Sequence, residues 1–145
     1  MKLMRTACAL GLILLFAACI PASPPANVGA TPGAAAIVTQ DRYQNDVFSV
    51  TYPTGWRVIT SPAGAPPSVT FVAPGDCGLV IVTSAPLKDV PHSPACNADF
   101  YYTVDKRKIS LGDNTITVAA SAPDAEWATL HDQMDRIAAS LKAAL

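Results

Sequence analysis

The sequence predicts an α+β domain: an antiparallel β-sheet of about five to six strands with a C-terminal amphipathic helix packed on it. Three observations carry this. Short runs rich in Val, Ile, Thr and aromatic residues recur from Val47 to Ser121, broken by Pro and Gly clusters. The last two runs flank Gly112-Asp113-Asn114, residues that tolerate the positive φ of a hairpin turn. Beyond Pro123 the apolar spacing changes from two to three and four residues, the period of a helix.

Taken in order, the elements follow from local chemistry. Ile37 to Asn45 is the only stretch ahead of the strands that could supply a helix, and it has no clear apolar stripe. Val47 to Tyr52 alternates imperfectly and stops at the turn cluster Pro53-Thr54-Gly55. Trp56 to Thr60 is a second strand candidate; a loop loaded with Pro and Gly runs from Ser61 to Pro67 before a third, Ser68 to Val72. Leu79 to Thr83 is apolar on both faces, which marks it as a central strand covered on both sides. Ala85 to Asp99 is irregular and contains Pro86, Pro91 and Pro94; a long loop of this kind is functional or stapled. Phe100 to Ser110 and Thr115 to Ser121 form the two arms of the hairpin. The helix carries the stripe Trp127, Leu130, Met134, Ile137, Leu141 and Leu145, with Pro123 near its first turn, Asp124 and Glu126 at its positive end and Lys142 at its negative end.

At the N-terminus, Lys2 and Arg5 precede about twelve mostly apolar residues, Ala7 to Ala18, the layout of a secretory signal. A membrane-spanning helix needs roughly 20 apolar residues, and Pro21, Pro24 and Pro25 stop any helix beyond Cys19. Phe16-Ala17-Ala18-Cys19 resembles the processing site of bacterial lipoproteins, with two small residues ahead of the cysteine. The resemblance implies cleavage before Cys19, acylation of its sulfur and amine with two or three chains, and residence on the extracytoplasmic face of the cell membrane. The alternative is an ordinary cleavable signal. Residues 1–18 are then the leader and 19–37 the lipidated cysteine with a linker rich in Pro, Ala and Gly. As a random coil, some 18 residues would span about 25 Å. Residues 38–145, about 108 in all, suffice for one domain with a single core.

With that address the cysteines sort: Cys8 leaves with the leader, Cys19 is lipidated, and Cys77 and Cys96 remain to form one disulfide. It would close a loop of roughly 20 residues, worth about 3 kcal/mol in the chain-entropy model. The competing reading joins Asp76, Cys77, His92, Cys96 and Asp99 in a metal site, but neither Cys-x-x-Cys nor His-x-x-x-His spacing is present. No resident metal or other cofactor is expected.

Ten Lys plus Arg face eleven Asp plus Glu, and loss of Lys2 and Arg5 leaves eight against eleven, a net charge of about −3. That balance argues against nucleic acid, which needs a basic stripe. The one basic cluster, Lys106-Arg107-Lys108, lies on a strand, where Lys106 and Lys108 face one way and Arg107 the other.

Tyr52-Pro53-Thr54-Gly55-Trp56, the passage Val118-Ala119-Ala120-Ser121-Ala122-Pro123 and the tail Ile137-Ala138-Ala139-Ser140-Leu141 resemble the PsbP-like family over nearly all of the mature domain. The resemblance implies a sheet flanked by helices in an α/β/α sandwich, with Tyr52, Pro53, Gly55 and Trp56 as a structural corner. It says almost nothing about activity. Its members include photosystem assembly factors, a small-GTPase partner and bacterial lipoproteins of unknown role.

Catalytic signatures are missing: there is no Gly-x-Ser-x-Gly elbow, phosphate-cradling glycine loop, His-Glu-x-x-His or Ser-x-x-Lys. Only His92 and His131 are available as bases. His92 is expected to be exposed and inert, and His131 to join Asp135, four residues on, in a surface ion cluster near Asp124 and Lys142. Two functions of different class follow. The first is a non-catalytic binding or accessory module, expected to be a monomer, that engages an envelope protein or small ligand through the Cys77–Cys96 loop or an exposed sheet face. The second is a small hydrolase or metal-dependent enzyme using His92 or His131.

Overall fold

Leu79–Thr83 (β6) is buried at every position, as a strand apolar on both faces must be. It lies at the centre of the fold. In the computed structural model, which describes residues 36–96 and 101–144, it is the middle strand of a five-stranded antiparallel sheet. The other strands are Arg57–Thr60 (β4), Ser68–Val72 (β5), Tyr102–Leu111 (β7) and Asn114–Pro123 (β8), in the order β4-β5-β6-β8-β7. A second antiparallel sheet contains Ile37–Val38 (β1), Arg42–Gln44 (β2), Phe48–Thr51 (β3) and Lys142–Ala143 (β9), in the order β1-β2-β3-β9. Asp124–Ser140 forms the helix α1. Cys19, the leader, the linker up to residue 35, Asp99 and Leu145 lie outside the described residues.

The α+β class and the closing helix agree with expectation; the layering differs. Ile37 to Asn45 is not a flanking helix but the strands β1 and β2. Its polar and apolar residues alternate so that Tyr43 enters the core between exposed Arg42 and half-buried Gln44, a strand period. The strands expected in one sheet are thus, among the described residues, nine in two. One face of the five-stranded sheet, carrying Val69, Phe71, Val80, Val82, Ile116, Val118 and Ala120, shares a core with Tyr43, Phe48 and Val50 of the small sheet and Leu130, Met134 and Ile137 of α1. The other face carries no helix among the described residues. Leu79, Ile81, Ala119 and Ser121 on it are nevertheless buried, and the described part of the loop after β6 reaches this face at Ser121, Tyr102 and Lys106.

Boundaries follow from turn chemistry. The β7–β8 hairpin is longer and tighter than expected, with Leu111 paired to Asn114 and Gly112 at φ 60 in the first turn position, where a two-residue turn needs positive φ. Helix α1 starts after Pro123 and stops at Ser140, since Leu141 is already extended at ψ 132. Lys142 therefore does not cap the helix dipole but belongs to β9. Ser140 explains the end: its Oγ accepts from Thr51 N–H at 2.9 Å and donates to Ile137 O at 2.7 Å, tying the helix to β3 before the chain pairs with that strand.

Candidate functional site

The stapled loop is built on the turn between β5 and β6. Gly75 at φ 93 and Asp76 at φ 63 reverse the chain, Arg57 holds Asp76 at 2.7 Å, and Cys77 is bonded to Cys96 with an S–S distance of 2.06 Å. The loop is further held by the outer face of the sheet. Lys106 Nζ donates to the carbonyls of Leu87 and Lys88, both at 3.1 Å. His92 stacks on Tyr102 with ring centroids 4.2 Å apart, and its Nδ1 lies 2.8 Å from Ser121 Oγ. His92 is therefore exposed, as expected, but engaged rather than inert. It satisfies the hydroxyl of Ser121, a residue with no exposed surface, which is costly to bury without a partner.

That pairing of histidine and serine has the composition of a nucleophile and base, but not the access. A substrate carbonyl must approach Oγ, and Ser121 is sealed between β6, β7 and the loop. The metal reading fails on the sulfurs: disulfide sulfurs are not thiolate ligands. Among the described residues no group of three His, Cys, Asp or Glu side chains is placed to hold an ion.

His131 and Asp135 do share a helix face, yet their neighbours are Asp105 and Arg107 of β7 rather than Asp124 and Lys142. Arg107 faces α1 while Lys106 and Lys108 face away, as the strand period requires. Its guanidinium reaches Asp105 Oδ2 at 2.9 Å, Asp135 Oδ1 at 2.5 Å and His131 Nε2 at 2.8 Å. Burial pushes the Asp105 carboxyl up, but the hydrogen bonds from Arg107 and the Lys106 N–H, with the charges of Arg107 and His131, outweigh it and leave it below the usual carboxylate range. The hydrogen bonds to Asp105 and Asp135 hold Arg107 above its ordinary value. A cation already occupies the centre of this cluster, so it clips the helix to the edge strand. Asp105 Oδ1 also accepts the Lys106 N–H at 2.7 Å, which leaves one less free donor on the sheet edge.

The corner Tyr52-Pro53-Thr54-Gly55-Trp56 lies beside α1. Tyr52 stacks on Phe71 at 4.6 Å and its hydroxyl donates to Thr39 O. Trp56 N–H donates to Pro53 O at 3.3 Å, closing the turn in which Gly55 takes φ 87. Between corner and helix is a depression of about 360 Å³ walled by Pro53, Trp56, Ala73, Pro74 and Leu130, with Glu126 at its rim. Leu130 reaches it because position 78 is glycine: a Cβ there would lie 2.9 Å from Leu130 Cδ1. Aromatic and proline rings around one carboxylate suit binding. Sequence reasoning found the corner but not this wall. Nor did it pair Arg107 with His131, although the inward parity of Arg107 was the available signal.

Comparison of the chain with models of protein families, with curated proteins and with solved structures finds no match.

Proposed function

We propose that the chain is an exported bacterial lipoprotein whose mature domain is a non-catalytic binding or accessory module, held on the extracytoplasmic face of the cell membrane by acylated Cys19. The Cys77–Cys96 disulfide carries this reading. It uses the two thiols that remain once Cys8 is removed and Cys19 is acylated, and such a crosslink persists where thiols are oxidised. A module that binds without transforming is supported by the state of both histidines: His92 serves Ser121 and Tyr102, and His131 serves Arg107. We read the domain as a PsbP-like variant in which the strands β1 and β2 stand where the first helix would be, and a crosslinked loop stands for the outer helical layer. The test is metabolic labelling with palmitate in a bacterial host. Label should enter the unmodified chain and be absent from Cys19→Ser, which should also leave the membrane fraction. Equal labelling of both, or none in either, would reject the anchor.

A further inference from the structure

The four-stranded sheet turns one face to the core; on the other, Ile37, Arg42, Thr51 and Lys142 are exposed and Ser49 is buried. Tyr43, Phe48 and Val50 point into the core, so the residues alternating with them point away from it. Register aligns Ile37, Gln44, Ser49 and Lys142 in one cross-strand row and Arg42 with Thr51 in the next. Arg42, Ser49, Val50, Thr51 and Lys142, with Ala139 and Ser140 at the end of α1, bound a depression of about 460 Å³ that has two cations, three hydroxyl side chains and no carboxylate in its lining; Ile37 lies outside it.

Arg42 differs from the other described arginines. Arg57, Arg107 and Arg136 each form a salt bridge to an aspartate, whereas Arg42 donates to the neutral Gln44 Oε1 at 2.9 Å. Among the described residues, neither Arg42 nor Lys142 has a carboxylate at salt-bridge distance. Ile37, in the same row, is 63% exposed. An exposed aliphatic side chain on the same sheet face as two cations without carboxylate partners has the composition of a surface that meets lipid headgroups. The chain toward Cys19 continues from β1, the edge strand of this sheet.

We propose that this face is a phosphate-recognising site that seats on the anionic headgroups of a phospholipid bilayer. Arg42 and Lys142 flank a headgroup phosphate, the exposed Thr51 hydroxyl donates to it, and Ile37 rests at interfacial depth beside the depression. The gain in effective concentration from a tether rests on the lipid anchor proposed above; the site itself does not. Because the chain is net negative, attraction to an anionic surface must come from local charge.

The test uses residues 20–145, which retain every described residue and carry no acylation site, so its result is independent of what happens at Cys19. Sedimentation with phosphatidylglycerol-containing vesicles should bring the protein down, and pure phosphatidylcholine vesicles should not. Arg42→Gln with Lys142→Gln should weaken binding about thirtyfold, the value for two surface cations. Lys88→Gln with Lys108→Gln should leave it unchanged, and thermal melts should show both pairs folded. No binding by the unmodified chain, or equal loss in both pairs, would overturn the proposal. A titration with inorganic phosphate that moves the Ser49 and Thr51 amide resonances without vesicle binding would overturn the bilayer as the source and leave free phosphate as the ligand.

Discussion

Replacing Cys77 and Cys96 by alanine together tests how the loop is held. The crosslinked residues are 19 apart in sequence, and a closed loop of about 20 residues is worth about 3 kcal/mol through the entropy of the unfolded chain. The folded loop has other attachments that survive the change: the His92–Ser121 bond, the stack on Tyr102 and the two carbonyls held by Lys106. The native face over Leu79 and Ile81 should therefore stay covered, with the cost falling on the unfolded state. For a domain of this size, 1 kcal/mol shifts Tm by about 4 °C or somewhat more, so the double variant should melt about 12 °C or more below the unmodified protein. Circular dichroism melts would show this, and reductant should bring the unmodified protein to the same Tm while leaving the variant unmoved. Hydrogen exchange at β6 amides in the variant should speed up on the order of a hundredfold, the amount that the loss of global stability alone produces. A drop below about 4 °C, or exchange across β6 faster than that, would refute the division between a loop held by its own contacts and a crosslink acting on the unfolded chain.

Ser121→Ala should cost about 1 kcal/mol in urea unfolding, and the double variant with His92→Ala should cost less than the two single changes added, because one hydrogen bond joins them. Gly78→Ala should cost about 1–3 kcal/mol through the contact with Leu130, with recovery when Leu130 is shortened to valine. Asp105 titrates lower in the folded chain than in the unfolded one. Its contribution is therefore full above about pH 4 and disappears as pH falls through the folded value. At neutral pH, Asp105→Asn should cost under about 1 kcal/mol, given the partial exposure of the cluster, and the difference should shrink as pH falls through the folded value in acid denaturation.

Much of the fold was legible because its core elements are long enough to show a period. The double-faced apolar run of β6, the β-branched arm of β8 and the stripe Leu130, Met134 and Ile137 each declare what they pack against. The strands β1, β2 and β9 have only two or three residues, too few for a period, and their pairing is set by tertiary contact. That is why Ile37 to Asn45 was open to a helical reading and why Leu141 looked like a continuation of the helix. Side-chain partners across elements were least legible. Parity put Arg107 on the inner face, but only the register of β7 against α1 brings it to His131. Likewise, nothing near Ser121 in sequence points to His92, because the described residues around His92 have no regular structure.

The central claim is export with acylation at Cys19 and oxidation of the remaining pair. The direct measurement is the intact mass of the protein extracted from the membranes of its bacterial host without reductant, repeated after reduction. The account predicts a chain beginning at Cys19, heavier by two or three acyl chains with their glyceryl group, that gains two hydrogens on reduction. A mass equal to the whole 145-residue chain, unchanged by reductant, would contradict it.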